Sequence, residues 1–402
     1  MLYFVQGISE PTEGLIAQPT RSLLRNWGYS AEAAGWFMAA VALPWAIKPL
    51  YGLITDFVPL AGTRRRSWLL ITTLITAVSL VAMYLVGVPR GAAGILLLWL
   101  LMPTVGVAFS DVVVDALMVE EGQPRGLTGQ LQSVQWTAMW IATILTGFVG
   151  GALSQRNLQE VGFLIAGLAT AVSFVIAWFV VRDPKQPTAQ DHTSGARTQD
   201  WRDALRAMGH TFRQPGILTI GAFLFLWNFN PFTTYVLYLH MVEHMGFSEQ
   251  FYGNTISLQA IGSLVASLAY GIYCRRLTLT QLVHLSIATG VLATLAYWWL
   301  TGTWSALAIS LLVGFVYMTG TIIQMDLAAR LCERETAGTT FALLMSLTNL
   351  AVSASMYTGG LMYNRLARGM HFTFAFETTV AVGALSTACC WLLMPWIKRY
   401  CR

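Results

Sequence analysis

Gly52-Leu53-Ile54-Thr55-Asp56, followed closely by Gly62-Thr63-Arg64-Arg65-Arg66, is a polar turn set between two long apolar runs, residues 32–54 and 67–88. As a helix, each run is long enough to cross the ~30 Å of hydrocarbon in a bilayer. In lipid every backbone N–H and C=O needs an internal partner, so such runs must be helical. Working outward, further runs lie at 2–24, 93–120, 127–153, 159–181, 216–242, 250–273, 279–300, 303–331, 337–365 and 373–397. Composition agrees: 55% of the 402 residues are hydrophobic and 11% charged, where soluble domains carry about 25% charged residues. The expected fold is an all-α integral membrane protein of twelve transmembrane helices in two six-helix bundles.

The first run is the weakest, because Gln6, Glu10, Glu13, Gln18 and Arg21 interrupt it. It is retained because the charge pattern needs an even number of spans, and because polar residues within a span usually face a bundle interior. It opens abruptly at Met1, as though a short tail were missing ahead of it, and shows no cleavable signal peptide. With both termini inside, most of the 24 basic residues fall on the inner side. Among them are Arg64, Arg65, Arg66, Arg125, Arg182, Arg202, Arg275, Arg330 and Lys398. Arg21, Arg25, Arg90, Arg156, Arg365 and Arg368 fall outside, and Lys48 lies within the membrane. This bias predicts an inner-membrane protein with cytoplasmic termini.

Residues 182–213 form the longest polar stretch. It runs from Asp183-Pro184 to the amphipathic Trp201-Arg202-Asp203-Ala204-Leu205-Arg206, and reads as a cytoplasmic linker between bundles at 1–181 and 214–402. The halves repeat. Gly28-Tyr29-Ser30 corresponds to Gly246-Phe247-Ser248, Pro11 to Pro231, Asp115 and Gly126 to Asp326 and Gly338, and Gly150-Gly151 to Gly359-Gly360. Two parallel six-helix repeats with a central site between them are the plan of the major facilitator superfamily. The loop at Gly52, Asp56, Arg64, Arg65 and Arg66 resembles that superfamily's signature loop. The resemblance implies a gating latch at the inner surface; without it, arginines in such a loop are ordinary positive-inside charges. The matching loop, Gly271-Ile272-Tyr273-Cys274-Arg275-Arg276, has Cys274 where an acid is expected.

A closer likeness is carried by Tyr3-Phe4-Val5-Gln6-Gly7, by Pro44-Trp45-Ala46-Ile47-Lys48-Pro49-Leu50-Tyr51-Gly52, and by Ser110-Asp111-Val112-Val113-Val114-Asp115-Ala116-Leu117. Together with Phe225-Leu226-Trp227 through Pro231, these blocks resemble the folate–biopterin transporter family over most of the chain. The resemblance implies secondary transport of a folate or pterin, with Lys48 meeting a glutamate carboxylate and aromatic side chains facing the ring. Glu10-Pro11-Thr12-Glu13, and Asn228 and Asn230 around Pro231, depart from the pattern in helices expected to line the cavity. Siderophores and muropeptides therefore stand as alternative cargoes. A non-transporting assembly factor or sensor on the same fold is the alternative of another class; a cavity lined by Glu10, Asp115 and Lys48 would favour transport.

The membrane charges point to chemistry on their own. Lys48 lies eight residues before Asp56, roughly 12 Å along a helix. Asp111 and Asp115, spaced i,i+4, share a face of the fourth span at similar depth. An isolated charge there is costly, so Lys48 is expected either to pair with an aspartate or to bind a substrate anion. Glu10 and Glu13 are spaced i,i+3, and two carboxylates in a low-dielectric site do not both ionise cheaply. Glu10, Glu13, Asp111, Asp115 and Asp326 are thus the proton-coupling candidates, each with a structural ion pair or a solvated vestibule as the plainer reading. Arg330 stands one turn from Asp326, as a helical partner or an anion site. Gln132, Gln135, Trp136 and Trp140 on the fifth span, and Trp227, Asn228 and Asn230 on the seventh, would suit a flat heteroaromatic ring, although many of the fifteen tryptophans serve as interface anchors. Glu243 and His244 read as surface groups.

Cys274, Cys332, Cys389, Cys390 and Cys401 have no metal or redox spacing, and no catalytic or phosphate-binding motif is found. The expectation is a non-enzymatic, monomeric carrier without cofactor, metal or nucleic acid, partnered by the bilayer, protons and a small molecule.

Overall fold

The computed structural model describes residues 1–63, 65–122, 128–182, 209, 213–273, 276–331 and 337–399. Nearly all of the linker, Arg64, Gly126, Cys274, Cys332 and Cys401 lie outside these residues, as do the side chains of Gln132 and Arg330. The described chain is helical, with one isolated bridge between Leu60 and Thr63 in the turn before Arg65. Nine helical stretches among the described residues are long and apolar enough to cross a membrane: Ala31–Asp56, Arg66–Val86, Ala93–Met118, Val134–Gln155, Gln159–Phe179, Leu279–Trp299, Thr303–Ala328, Phe341–Gly369 and Phe372–Ile397. The remaining three expected spans coincide with helix that is broken or richer in polar residues.

The first span is α1 (Leu2–Ser9) and α2 (Ala17–Asn26), and the second is α3 (Ala31–Ala42), a tight turn at Leu43–Ile47 and α4 (Lys48–Phe57). Then come α5 (Arg66–Val86), α6 (Ala93–Gly122), α7 (Thr128–Gln155) and α8 (Gln159–Phe179). After the linker follow α9 (Pro215–Asn228), α10 (Thr234–Leu239) and α11 (Glu249–Tyr273). The chain ends with α12 (Leu279–Leu295), α13 (Thr303–Leu331), α14 (Ala337–Gly369), α15 (Phe372–Ala388) and a last turn, α16 (Met394–Ile397).

One expectation is corrected by these bounds. The first and seventh spans are not continuous helices; each breaks at its proline. Pro11 and Pro231 lack an N–H and disfavour helical geometry in the residue before them, and Glu10 accordingly has ψ 122°. Arg21, counted among the outer charges, does not stand free. It is buried, and its guanidinium donates to the Thr12 carbonyl at 3.0 Å, across the break.

The repeat signals correspond to repeated geometry. Gly28 and Gly246 have φ of 75° and 70°, a region open to glycine at little cost. Ser30 and Ser248 then cap the following helices, accepting from Ala33 N at 3.2 Å and Phe251 N at 3.0 Å. At this same end the two halves touch backbone to backbone. A Cβ on Gly253 of α11 would overlap the Gly147 carbonyl of α7, and one on Gly360 of α14 would overlap the Ala31 carbonyl of α3. Small residues let helices approach where lipid offers no hydrophobic drive. Glu249, at the start of α11, seals the seam. It pairs with Arg25 at 3.0 Å, accepts from Gln18 (3.0 Å), Ser22 (3.2 Å) and Tyr238 (2.5 Å), and so ties α2 to the second half.

Candidate functional site

The break in the first span is built by one carboxylate. Glu10 accepts from the Thr12 amide (2.9 Å), the Thr12 hydroxyl (2.5 Å), the Trp45 indole (3.2 Å) and the Glu13 amide. It is 7% exposed. All four contacts deliver hydrogens to it, as suits an ionised, acceptor-only group. The break in the seventh span is built likewise by an amide. Asn230 accepts from Phe232 N at 3.0 Å, while its own N–H groups reach Ser355 (2.9 Å) and Thr294 (3.3 Å). Asn228 donates to Gln324 of α13 at 2.8 Å. Both asparagines therefore fasten α9 and the break to α12, α13 and α14.

Beside the first break lies a charged cluster within the first half. Lys48 forms an ion pair with Asp111 and sits 4.5 Å above the Trp45 ring. Gln6 donates to the same aspartate at 2.7 Å. Asp115, one turn along α6, is held by Tyr3 (2.7 Å) and Gln135 (3.3 Å), both neutral donors. The two aspartates thus differ in kind: one is neutralised by a cation, the other is not. Lys48 is occupied, so in this state it offers no free charge to a substrate carboxylate.

Glu13 is the third element. The i,i+3 spacing predicted a shared face with Glu10, but Pro11 removes the helix on which that rule depends. Glu10 is buried and Glu13 is exposed, the one exposed residue between Ser9 and Ser22. On α13, Tyr317 is 41% exposed at mid-helix. Tyr317 leans on Trp227 with ring centres 6.4 Å apart. Trp136 and Trp140 stack at 6.1 Å on α7, and the Trp140 and Trp227 indole N–H groups have no hydrogen-bond partner among the described residues.

The signature loop ties helices of one half together. Arg65 bonds to Asp56 (2.7 Å), Thr55 (2.7 Å) and Glu120 (2.8 Å), linking α4, α5 and α6. Burial alone would lower its pKa; the Glu120 and Asp56 carboxylates outweigh that and raise it, so it stays charged. Arg66 bonds to the Trp178 carbonyl at 2.6 Å, and Gly52 lies against Val112 of α6. Asp326 is half-buried. Glu243 is exposed, and His244 stacks on Phe372 at 3.9 Å.

Sequence reasoning did not assign roles to Tyr3, Gln6, Trp45, Tyr317 or Glu249. Tyr3 and Gln6 carried a readable signal, an i,i+3 polar pair opening an apolar helix. Glu249 did not, because an acid after a capping serine reads as an ordinary helix start.

A family model, that of the BT1 family, matches residues 15–401. The chain belongs to the BT1 family. Relatives of this BT1-family protein include the folate-biopterin transporter of Synechocystis, 28% identical over 388 residues, covering 90% of this chain and 73% of that one. The probable folate-biopterin transporter 4 of Arabidopsis thaliana is 24% identical, covering 89% and 86%. Among solved structures, a D-xylose–proton symporter matches with a TM-score of 0.74 at 15% identity, over 99% of this chain and 97% of that one. The nucleoside transporter NupG matches at 0.70 and 14%, over 99% and 97%. Both are major facilitator transporters, and the likeness shows that the BT1-family chain has their fold. It is a multi-pass membrane protein of a family of transporters.

Proposed function

We propose that this BT1-family chain is a secondary carrier of pterin-type compounds, folates included, that works by alternating access. The observation that carries this reading is the pair of matched helix breaks at Pro11 and Pro231, one in each half, beside a cluster in which carboxylates outnumber cations. Broken helices at mid-depth are where transporters of this plan hold their cargo. Residues 1–181 rock against 214–402. In this reading the seam at Gly253 and Gly360 is the closed gate of the present state. Tyr317 and Trp227, with the Trp136–Trp140 stack, offer flat surfaces to a bicyclic ring. The carrier works as a monomer in the inner membrane with both termini cytoplasmic.

Asp115 is the proton carrier in this reading. Tyr3 and Gln135 can donate to its ionised form, and its protonated form needs no counter-charge, so it can change state without breaking an ion pair. Asp111 is tied up in its ion pair with Lys48. The names of the curated relatives support the cargo class. The test is uptake of labelled pterin and folate into proteoliposomes with and without an imposed pH gradient. Accumulation driven by external acid is expected; no pterin or folate uptake under any gradient would overturn the reading.

A further inference from the structure

A cavity of about 500 Å³ lies apart from the two helix breaks, at the end where the halves touch. It is lined by Tyr29, Glu32, Trp36 and Phe37 at the start of the second span, by Gly94 of α6 and by Tyr357 of α14, so both halves supply its walls. Two apolar spans, Ala31–Asp56 and Ala93–Met118, begin beside it, which sets it at the depth of lipid headgroups. Glu32 is the charged residue of its wall. One Glu32 oxygen accepts from Asn364 of α14 at 2.9 Å. The other has no hydrogen-bond partner, and the carboxylate has no ion-pair partner, among the described residues. Trp36 and Tyr357 are exposed, and so are Leu43 and Leu350, two turns farther into the membrane from each, and Leu98 of α6. An apolar track therefore leads from an unpaired acid and two aromatic rings toward the middle of the bilayer.

We infer that this cavity binds the ethanolamine headgroup of a phospholipid from the leaflet at that end. The ammonium donates to the open oxygen of Glu32 and sits among the Trp36 and Tyr357 rings, which favour a cation. The acyl chains follow Leu43, Leu98 and Leu350, whose surface is as apolar as the chains themselves. Arg90 is exposed and adjoins Gly91, whose carbonyl accepts from Tyr29 at 2.8 Å; it supplies the cation for the lipid phosphate. The pattern discriminates among headgroups. A primary ammonium brings N–H donors and makes a charge-assisted bond to the carboxylate. A choline group has the same charge but no N–H, so it satisfies the rings and leaves the Glu32 oxygen without a donor. A glycerol headgroup brings no cation, and its phosphate is repelled by Glu32. None of these residues belongs to the cargo or proton path proposed above, and a lipid seated here touches both halves beside their seam.

The experiment offers the purified protein in detergent an equal mixture of phosphatidylethanolamine, phosphatidylcholine and phosphatidylglycerol with identical chains. Mass spectrometry of the intact protein counts the lipids retained. The wild type is expected to keep phosphatidylethanolamine over phosphatidylcholine by about tenfold. Glu32→Gln, which can still accept from Asn364, should reduce that preference to about twofold or less, because its bond to the ammonium no longer involves an anion. Ala33→Trp fills the cavity from α3 and leaves the carboxylate in place; it should lose the preference as well, so the result does not hang on the folding of one variant. Equal retention of the two zwitterionic lipids by the wild type, or a preference that survives in either variant, would overturn the site. Displacement of the lipid by an equal concentration of soluble phosphoethanolamine would make a free amine the ligand and overturn the lipid assignment.

Discussion

Glu10 and Asn230 make the same turn in opposite halves. Each precedes a proline, and each accepts through its side chain the backbone N–H two residues on, Thr12 at 2.9 Å and Phe232 at 3.0 Å. One does so as a carboxylate and the other as a neutral amide. The frame of the repeat is preserved while its charge is not.

That difference sets a stability prediction. Glu10 collects four hydrogen bonds and carries a charge, so Glu10→Ala should cost about 2–4 kcal/mol of stability, where bonds to charged groups contribute ~1.5–3 kcal/mol each and do not add fully. Asn230→Ala should cost about 1 kcal/mol, as for a lost helix cap. Thermal unfolding in detergent reads both. Equal losses would mean that Glu10 is not the principal cap of its break.

Lys48 is expected to behave as a structural partner before anything else. Lys48→Met leaves Asp111 charged and nearly buried without a cation, which typically costs roughly 3–5 kcal/mol. Lys48→Met with Asp111→Leu should recover most of that loss. A single variant as stable as the wild type, with only a raised KM for folate, would instead return Lys48 to the substrate.

Asp115→Asn should keep the bonds to Tyr3 and Gln135 in altered form and spare the fold. It should abolish accumulation driven by external acid while leaving exchange of labelled for unlabelled cargo intact. Acid-driven accumulation that persists in this variant would remove Asp115 from the coupling role.

Gly253→Trp should wedge the seam between α7 and α11 open and stop net transport. In a background without native cysteines, Ser22→Cys should then react with an impermeant maleimide applied outside, because Ser22 is only 1% exposed in the closed seam. Labelling that is the same with and without the tryptophan would show that the seam is not a gate.

Much of the frame was legible in the sequence. Apolar length marked the helices, and Gly28, Ser30, Gly246 and Ser248 marked a repeat whose turns do share φ and capping. The site was legible only in part. Glu10 and Glu13 read as a coupled pair because i,i+3 implies one face, and Pro11 annuls that implication by ending the helix between them. Lys48 and Asp111 were placed at one depth by helical rise, but which of the two aspartates it would choose depended on how α4 meets α6. Glu249 carried no local mark at all, because its partners Arg25, Gln18 and Ser22 come from the opposite half of the molecule.

The seam at Gly147, Gly253, Ala31 and Gly360 has one more consequence. Interlocked side chains must surrender rotamer freedom each time a joint closes. Backbone pressed on glycine has none to surrender, so this joint can part and re-form many times a second with little entropic drag. What holds it shut is then mostly polar bonds: those at Glu249, with Ser257 donating to the Ile144 carbonyl (2.7 Å), Gln250 to the Phe148 carbonyl (3.1 Å) and Asn364 to Glu32 (2.9 Å). Ease of parting and intolerance of substitution have one origin here: the surfaces slide because they are bare, and any side chain added to them is grit in the bearing.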